Sequence, residues 1–245
     1  MRNLKMIIEY DGGKYKGWQK HKDAKVTIKG KIESVLSKMT GEATQVIGCE
    51  STDIGAHAEN YAANFHTACE FSMDTILDYC YKFLPEDIVV KSIEEVDERF
   101  QAKYNVKSKT YVYRINDNKF RSVFNRKYSY HVDEKLNLDK MRNAAEILVG
   151  TYDFQSFTSL KSNTKPTIRT INYINIDEKD GMIEIEINEN GSLLNMIRII
   201  IGTLLEVGKG NLKAIEVKEI LMLKKRSELA LMAQAKGLCL RSVEY

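Results

Sequence analysis

Proline is almost missing from this chain of 245 residues, with Pro85 and Pro166 the only two. That excludes long Pro-rich linkers. Cysteine is scarce too, and Cys49, Cys69, Cys80 and Cys239 show no C-x-x-C spacing. They read as reduced, mostly buried thiols rather than a disulfide framework. The four histidines form no metal-ligand cluster, so no metal is expected. The most apolar stretch, Leu193–Leu205, is broken by Asn195 and Arg198 and is too short to span a bilayer. Met1–Tyr10 reads as a short apolar strand without the h-region of a signal peptide. Together these absences predict a soluble, cytoplasmic protein with no membrane attachment. Apolar residues make up 43% of the chain, enough for one large domain or two small ones to bury a core.

Acids are missing where bases gather. Lys14, Lys16, Lys20, Lys22, Lys25, Lys29 and Lys31 face only Asp23, and Lys103, Lys107, Lys109, Arg114, Lys119, Arg121, Arg126 and Lys127 face only Asp117. The acids collect instead in Glu86–Glu98 and Asp177–Glu189. The net charge of +3 is modest, but this segregation suggests a positive face able to follow phosphates; the bland alternative is a lysine-rich solvated surface.

Two successive halves repeat one order of elements. In the first, Leu4–Tyr10 is a strand ended by the turn Asp11-Gly12-Gly13, and Thr27 caps a helix with the stripe Ile28, Ile32, Val35, Leu36 and Met39. Strands are predicted at Thr44–Cys49 and Tyr61–Phe71, a short helix from Asp74 through Tyr81, and a strand at Ile88–Val96. The second half begins with a strand at Lys109–Asn116. A helix carrying Leu138, Met141, Ala145 and Leu148 follows, terminated by Gly150. A hairpin is predicted from Ile168–Ile176 and Met182–Asn188. In its second strand Ile183, Ile185 and Ile187 alternate with Glu184, Glu186 and Asn188, which predicts one solvated face. Helices at Leu193–Val207 and Leu212–Lys224 and a strand at Gly237–Tyr245 complete it. The fold class is therefore α+β: two ferredoxin-like βαββαβ domains, 1–104 and 105–245, with mainly antiparallel sheets and a central cleft.

Two features point to chemistry. Thr52-Asp53-Ile54-Gly55 follows the apolar run Val46–Cys49, so an acid sits on a tight turn at the end of a strand, where catalytic groups are often held. The same pattern is often only an Asx turn. Second, the predicted helix Leu193–Val207 is apolar nearly all round, with Arg198 in its middle. A buried guanidinium calls for a carboxylate, with Asp53, Asp153 or an acid on a facing strand as candidates. Otherwise Arg198 snorkels to the surface or ties two domains together. His57 fits an acid–base role or packing, Trp18 fits nucleotide stacking or the core, and Asp11 reads as a turn residue.

Taken in order, these residues resemble the TruA-type tRNA pseudouridine synthases nearly end to end. Tyr10-Asp11-Gly12-Gly13-Lys14-Tyr15-Lys16-Gly17-Trp18-Gln19 resembles the family's Y-D-G-x-x-F-x-G-W-Q, and Thr52-Asp53-Ile54-Gly55-Ala56-His57-Ala58 its T-D-x-G-V-H-A. Phe100-Gln101-Ala102-Lys103 stands for F-H-A-R, Lys109-Thr110-Tyr111-Val112-Tyr113 for R-x-Y-x-Y, and Asn195-Met196-Ile197-Arg198 for N-M-V-R. The resemblance implies isomerisation of uridine to pseudouridine in the tRNA anticodon arm, at positions 38, 39 and 40. It also implies a homodimer that needs no cofactor or metal. It makes Asp53 the catalytic carboxylate, Tyr111 an active-site aromatic, and Arg198 the partner that keeps Asp53 ionised. Lys14, Lys16, Lys20, Lys22, Lys103, Lys107 and Lys109 are then expected to hold tRNA phosphates.

The chain departs from the pattern at one telling place. The family has G-R-T-D where this chain has Glu50-Ser51-Thr52-Asp53. The missing Arg helps to extrude the base in the family, and Ser51 supplies no such charge. Two rival readings follow: a tRNA-binding paralogue with little or no catalysis, and a ferredoxin-like scaffold binding protein or a small nucleotide. The second leaves the basic segments unexplained.

Overall fold

The computed structural model describes residues 1–19, 26–160, 166–225 and 230–245. In chain order the elements are β1 (Arg2–Tyr10), α1 (Ile28–Thr40), β2 (Val46–Gly48), β3 (His57–Thr67), α2 (Met73–Phe83), β4 (Ile88–Val96), β5 (Ser108–Asn116), β6 (Tyr130–His131), α3 (Leu138–Leu148), β7 (Gly150–Asp153), β8 (Ile168–Lys179), β9 (Met182–Glu189), α4 (Met196–Lys209), α5 (Ala214–Met222) and β10 (Leu238–Glu244). The fold class is α+β, with mainly antiparallel pairing. Two compact units are present: Met1–Lys107 with Cys239–Tyr245, and Ser108–Leu238.

In the first unit alternation along β1 buries Leu4, Met6 and Ile8 completely. Thr27 caps α1 by accepting the Gly30 N–H at 3.2 Å, and the helix buries Ile28, Ile32 and Leu36. Ser72, two residues before the expected start at Asp74, caps α2 by accepting the Thr75 N–H, which leaves Asp74 in the first turn where the macrodipole favours an acid. The strand order is β4-β1-β3, with every neighbour antiparallel. One edge of β3 is shared: β2 pairs near its end, and β10 runs parallel to its start, with Cys239 opposite His57. The chain's last strand, read from sequence as closing the second half, thus lies along β3. β3 itself begins four residues before the predicted Tyr61, because Ala58 already pairs with Tyr10.

The second unit orders its strands β5-β9-β8-β7, with β6 short and parallel to β5. The predicted hairpin is present, and Ile183, Ile185 and Ile187 are buried as expected, but the opposite face of β9 is only half open, with Glu184 and Glu186 half-buried and Asn188 buried. Glu184 is 2.9 Å from the Arg114 guanidinium, Glu186 accepts the Tyr173 hydroxyl at 3.0 Å, and Asn188 donates to Thr110 at 2.9 Å. Paired carboxylates tolerate partial burial that lone ones do not. α4 also differs from expectation. It starts at Met196 because Asn195 adopts a left-handed conformation (φ 61°), through which a right-handed helix does not run. Arg198 therefore lies in the first turn, not in the middle of the helix.

Candidate active-site elements

The loop after β2 is pinned residue by residue. The Cys49 N–H extends the hairpin by donating to Ala62 O at 2.9 Å. The Tyr61 hydroxyl then accepts the Glu50 N–H at 3.2 Å and donates to the Glu50 carbonyl, so one phenol satisfies both backbone groups of that residue. The Tyr10 hydroxyl donates to Thr52 Oγ1 at 2.9 Å. Asp53-Ile54-Gly55-Ala56 forms a turn closed by Ala56 N–H to Asp53 O at 3.1 Å. Gly55 has φ +82°, as a type II turn demands at its third position. Asp53 is half-buried at the head of this turn, and Ile54 at its tip is 67% exposed.

Glycine backbones hold the loop from the other side. A Cβ on Gly12 would lie 1.8 Å from Ala56 O, and one on Gly17 (φ +77°) 2.6 Å from Thr52 O. The segment after β1 therefore packs backbone to backbone against both flanks of Asp53. Asp11 shapes that segment as a turn residue, accepting the Gly13 N–H at 2.8 Å. Trp18 is 1% exposed and stacks on Tyr61 at 4.0 Å, so it belongs to the core. Gly48 leaves room for that stack. His57 is buried with Nδ1 3.2 Å from Gly12 N and 3.1 Å from Asp11 Oδ1. One nitrogen cannot accept from the first and donate to the second at once. The Gly12 N–H donates to this nitrogen, a bond that ties β3 to the Gly12 turn. Ser51 is exposed, and its Oγ accepts the Gln19 side-chain amide at 2.6 Å.

In the second unit Tyr111 and Tyr113 lie on β5, registered with Ile187 and Ile185. Both are buried. Arg198 is half-buried; its Nε donates to Ala233 O at 2.8 Å, and the Ala233 N–H returns a bond to Arg198 O at 2.9 Å. A Cβ on Gly202, one turn further along α4, would lie 2.1 Å from Leu231 O, so that glycine lets the segment 231–233 run directly on the helix. The Tyr113 hydroxyl holds the next residue through Gln234 O at 2.8 Å. A guanidinium in a helix's first turn opposes the macrodipole, at a cost of roughly 0.3–1 kcal/mol, so helix stability does not explain its placement. Asp153, one acid considered as its partner, caps the turn Phe154–Phe157 and accepts the Thr167 hydroxyl at 2.6 Å.

The lysines expected to meet phosphate are scattered. Lys16, Lys103 and Lys107 are exposed, and Lys103 lies 5.2 Å from the centre of the Tyr104 ring. Lys14 sits 3.5 Å from Asp87. Lys109 is buried opposite Glu189 on β9, a setting unlike that of a surface phosphate ligand. Lys20 and Lys22 lie outside the described residues. No cluster of three or more potential metal ligands occurs among the described residues, and no helix among them is long and apolar enough to cross a membrane. In the sequence Gly12 and Gly17 stand out only within the turn and motif after the first strand, and Tyr61 only as the start of a strand; nothing there sets them against the Asp53 loop.

A family model described as tRNA pseudouridine synthase matches residues 144–245. The tRNA pseudouridine synthase A 1 of Clostridium tetani is 65% identical over 245 residues, all of both chains. The chain belongs to the tRNA pseudouridine synthase family. The tRNA pseudouridine synthase A 2 of Bacillus anthracis, at 43%, and the tRNA pseudouridine synthase A of Acetivibrio thermocellus, at 42%, also match over the full length of both chains. Among solved structures, a chain from the crystal structure of a Cbf5-Nop10-Gar1 complex aligns with 82% of this chain and 45% of its own, at 12% identity and a TM-score of 0.37. That likeness is too loose to bear on the site.

The buried phenols of this family member make its stability sensitive to alkali. Burial raises Tyr10, partly opposed by its bond to Thr52; burial also raises Tyr61 and Tyr113. An acid whose folded pKa lies above its unfolded value contributes fully below the unfolded pKa, near 10 for tyrosine, and loses that contribution as pH rises past it. Each of the three should lower the folding constant by about tenfold per pH unit above roughly 10. Urea midpoints from pH 8 to 11 are expected to hold and then drop steeply; a flat profile between 10 and 11 would contradict this.

Proposed function

We propose that this chain isomerises uridine to pseudouridine in the anticodon arm of tRNA, at positions 38, 39 and 40, acting in the cytoplasm as a homodimer. Isomerisation breaks the N1–C1′ bond and forms C5–C1′, while a proton leaves C5 and one reaches N1. Atoms and electrons balance without a cofactor. Asp53 attacks or otherwise activates the flipped nucleotide so that the glycosidic bond breaks. Tyr111 stacks on the base and helps to move the C5 proton, and Arg198 keeps Asp53 ionised and oriented. Exposed Lys16, Lys103 and Lys107 meet phosphate, with Lys14, Lys20, Lys22 and Lys109 carried as further candidates.

The observation that carries this reading is the clamped Asp53 turn, a carboxylate whose backbone is fixed from both sides, within a chain 65% identical to a tRNA pseudouridine synthase. Preorganisation of that kind is what a nucleophile needs. The direct test is incubation of the purified chain with unmodified tRNA transcripts, followed by chemical mapping of pseudouridine. Product at 38, 39 or 40 is expected. Tight tRNA binding without product would favour the binding paralogue instead.

The loss of the family arginine at Ser51 has its own consequence. Flipping a base costs a few kcal/mol, so Ser51→Arg is expected to raise kcat by about tenfold. The residue is exposed and its one described bond is to Gln19, so the fold tolerates the change. Single-turnover rates measure it, and an unchanged or lower rate would mean that extrusion is not the slow step.

A further inference from the structure

The loop from Asn118 to Tyr128, between β5 and β6, takes no part in the chemistry above. It carries Lys119, Arg121, Arg126 and Lys127 and no acid. Its ends meet because Ile115 and Asn116 pair with Tyr130 and His131, which makes it a closed Ω-type loop. Asp117 at its base is buried, lies 3.1 Å from the Lys135 ammonium and accepts the Leu136 N–H at 3.2 Å, so it does not offset the loop's charge. The loop is braced as well. Asn118 donates to Gly181 O at 3.0 Å, Ser122 Oγ accepts the Asn125 N–H at 3.2 Å, and Asn125 O accepts the Tyr128 N–H and the Ser129 hydroxyl, each at 2.9 Å. The Arg126 guanidinium donates to Val123 O.

On this frame Phe120 is 76% exposed and Phe124 91% exposed. Lys119 Nζ lies 5.5 Å from the centre of the Phe120 ring. Two phenyl rings held in water by an ordered backbone, with cations interleaved, match what unpaired nucleic acid needs: flat faces for bases and positive charge for phosphates. An apolar protein partner would not explain four cations without an acid.

We propose that this loop is an RNA-binding element for unpaired nucleotides away from the reacting uridine, with Phe120 and Phe124 stacking on bases and Arg121, Arg126 and Lys127 neutralising phosphates. The proposal rests on the tRNA-modifying reading above and adds where the rest of the RNA is held. Because the loop is preformed, little ordering cost opposes binding. Stacking tolerates any base, so the element contributes affinity and position rather than sequence choice.

The test uses the full chain with Phe120→Ser/Phe124→Ser and, separately, Arg121→Gln/Lys127→Gln. The aromatic pair is expected to raise Kd for an unmodified tRNA transcript, and KM, by about tenfold or more, with kcat at saturation within about twofold. The cationic pair should flatten the slope of log Kd against log salt by about one to two. Melting temperatures should hold, since the rings are already in water. Unchanged Kd in both variants overturns the proposal, as does a fall in kcat at constant KM. It is also overturned if the aromatic pair abolishes binding to phosphatidylserine vesicles, or self-association in sedimentation, while tRNA affinity holds. Wild-type protein that binds tRNA through the loop but makes no pseudouridine would sink the enzymatic reading alone. Normal catalysis with loop-independent binding would sink this one alone.

Discussion

Replacing Asp53 with Asn is expected to lower kcat for pseudouridine formation by about four orders of magnitude or more, with the fold intact. The amide matches the carboxylate in shape, so the turn closed by Asp53 O and the Ala56 N–H survives. The Tyr10 and Tyr61 bonds upstream do not involve the Asp53 side chain either. What disappears is the negative charge, and a neutral amide neither attacks nor stabilises a developing cation at the sugar. Loss of a carboxylate near phosphates should leave tRNA affinity unchanged or slightly improved. The combination of undisturbed melting, retained tRNA Kd and lost product is therefore the signature to measure. A variant within tenfold of wild type would remove Asp53 from the chemistry.

Much of the fold is legible because period and caps agree locally. Ile88–Val96 lies where the run of β-branched residues ends against Pro85, and α1 begins at the Thr27 cap. Apart from the short β6 and β7 and the early start of β3, three features escaped for physical reasons that no window of sequence contains. The start of α4 depends on one left-handed residue, Asn195, amid an apolar run that looks helical throughout. The Glu184 and Glu186 face of β9 looks solvated until Arg114 and Tyr173 arrive from neighbouring strands. The partner of the last strand, β3, is a matter of long-range pairing.

The candidate site divides along the same line. Asp53 and Arg198 stood out from local pattern, an acid on a Gly turn and a charge in an apolar helix. Their supports did not. Nothing in the sequence says that Tyr61 serves both backbone groups of Glu50, or that Ala233 and Tyr113 fix the segment on which Arg198 rests. Those are contacts between residues far apart in the chain, and a tyrosine in a strand looks the same whether or not its hydroxyl has found them.

Gly12→Ala is the sharpest probe of those supports, and it should lower kcat by about a hundredfold while leaving tRNA affinity within a few-fold. The added Cβ would lie 1.8 Å from Ala56 O, and backbone on one side or the other must move. Neither side yields cheaply. Gly12 N–H is bonded to the His57 ring, Ala58 is paired with Tyr10, and Ala56 closes the Asp53 turn. Relief therefore runs through the turn and shifts Asp53, and a misplacement near 1 Å is enough for a loss of that size. Overpacking also costs about 1–3 kcal/mol, so melting temperature must be followed alongside turnover. Gly13→Ala is the matched control: the nearest atom to its Cβ is Asp11 Oδ1 at 3.0 Å, a side chain that can give, and no left-handed φ is required there. Gly17→Ala should resemble Gly12→Ala, since it meets Thr52 O at 2.6 Å and adds the strain of φ +77°. If Gly12→Ala and Gly13→Ala turn over alike in folded protein, the glycine backbone does not position the carboxylate. If only Gly12→Ala and Gly17→Ala fall, with Kd held, the opening glycine motif acts through the geometry of Asp53 rather than through contact with RNA.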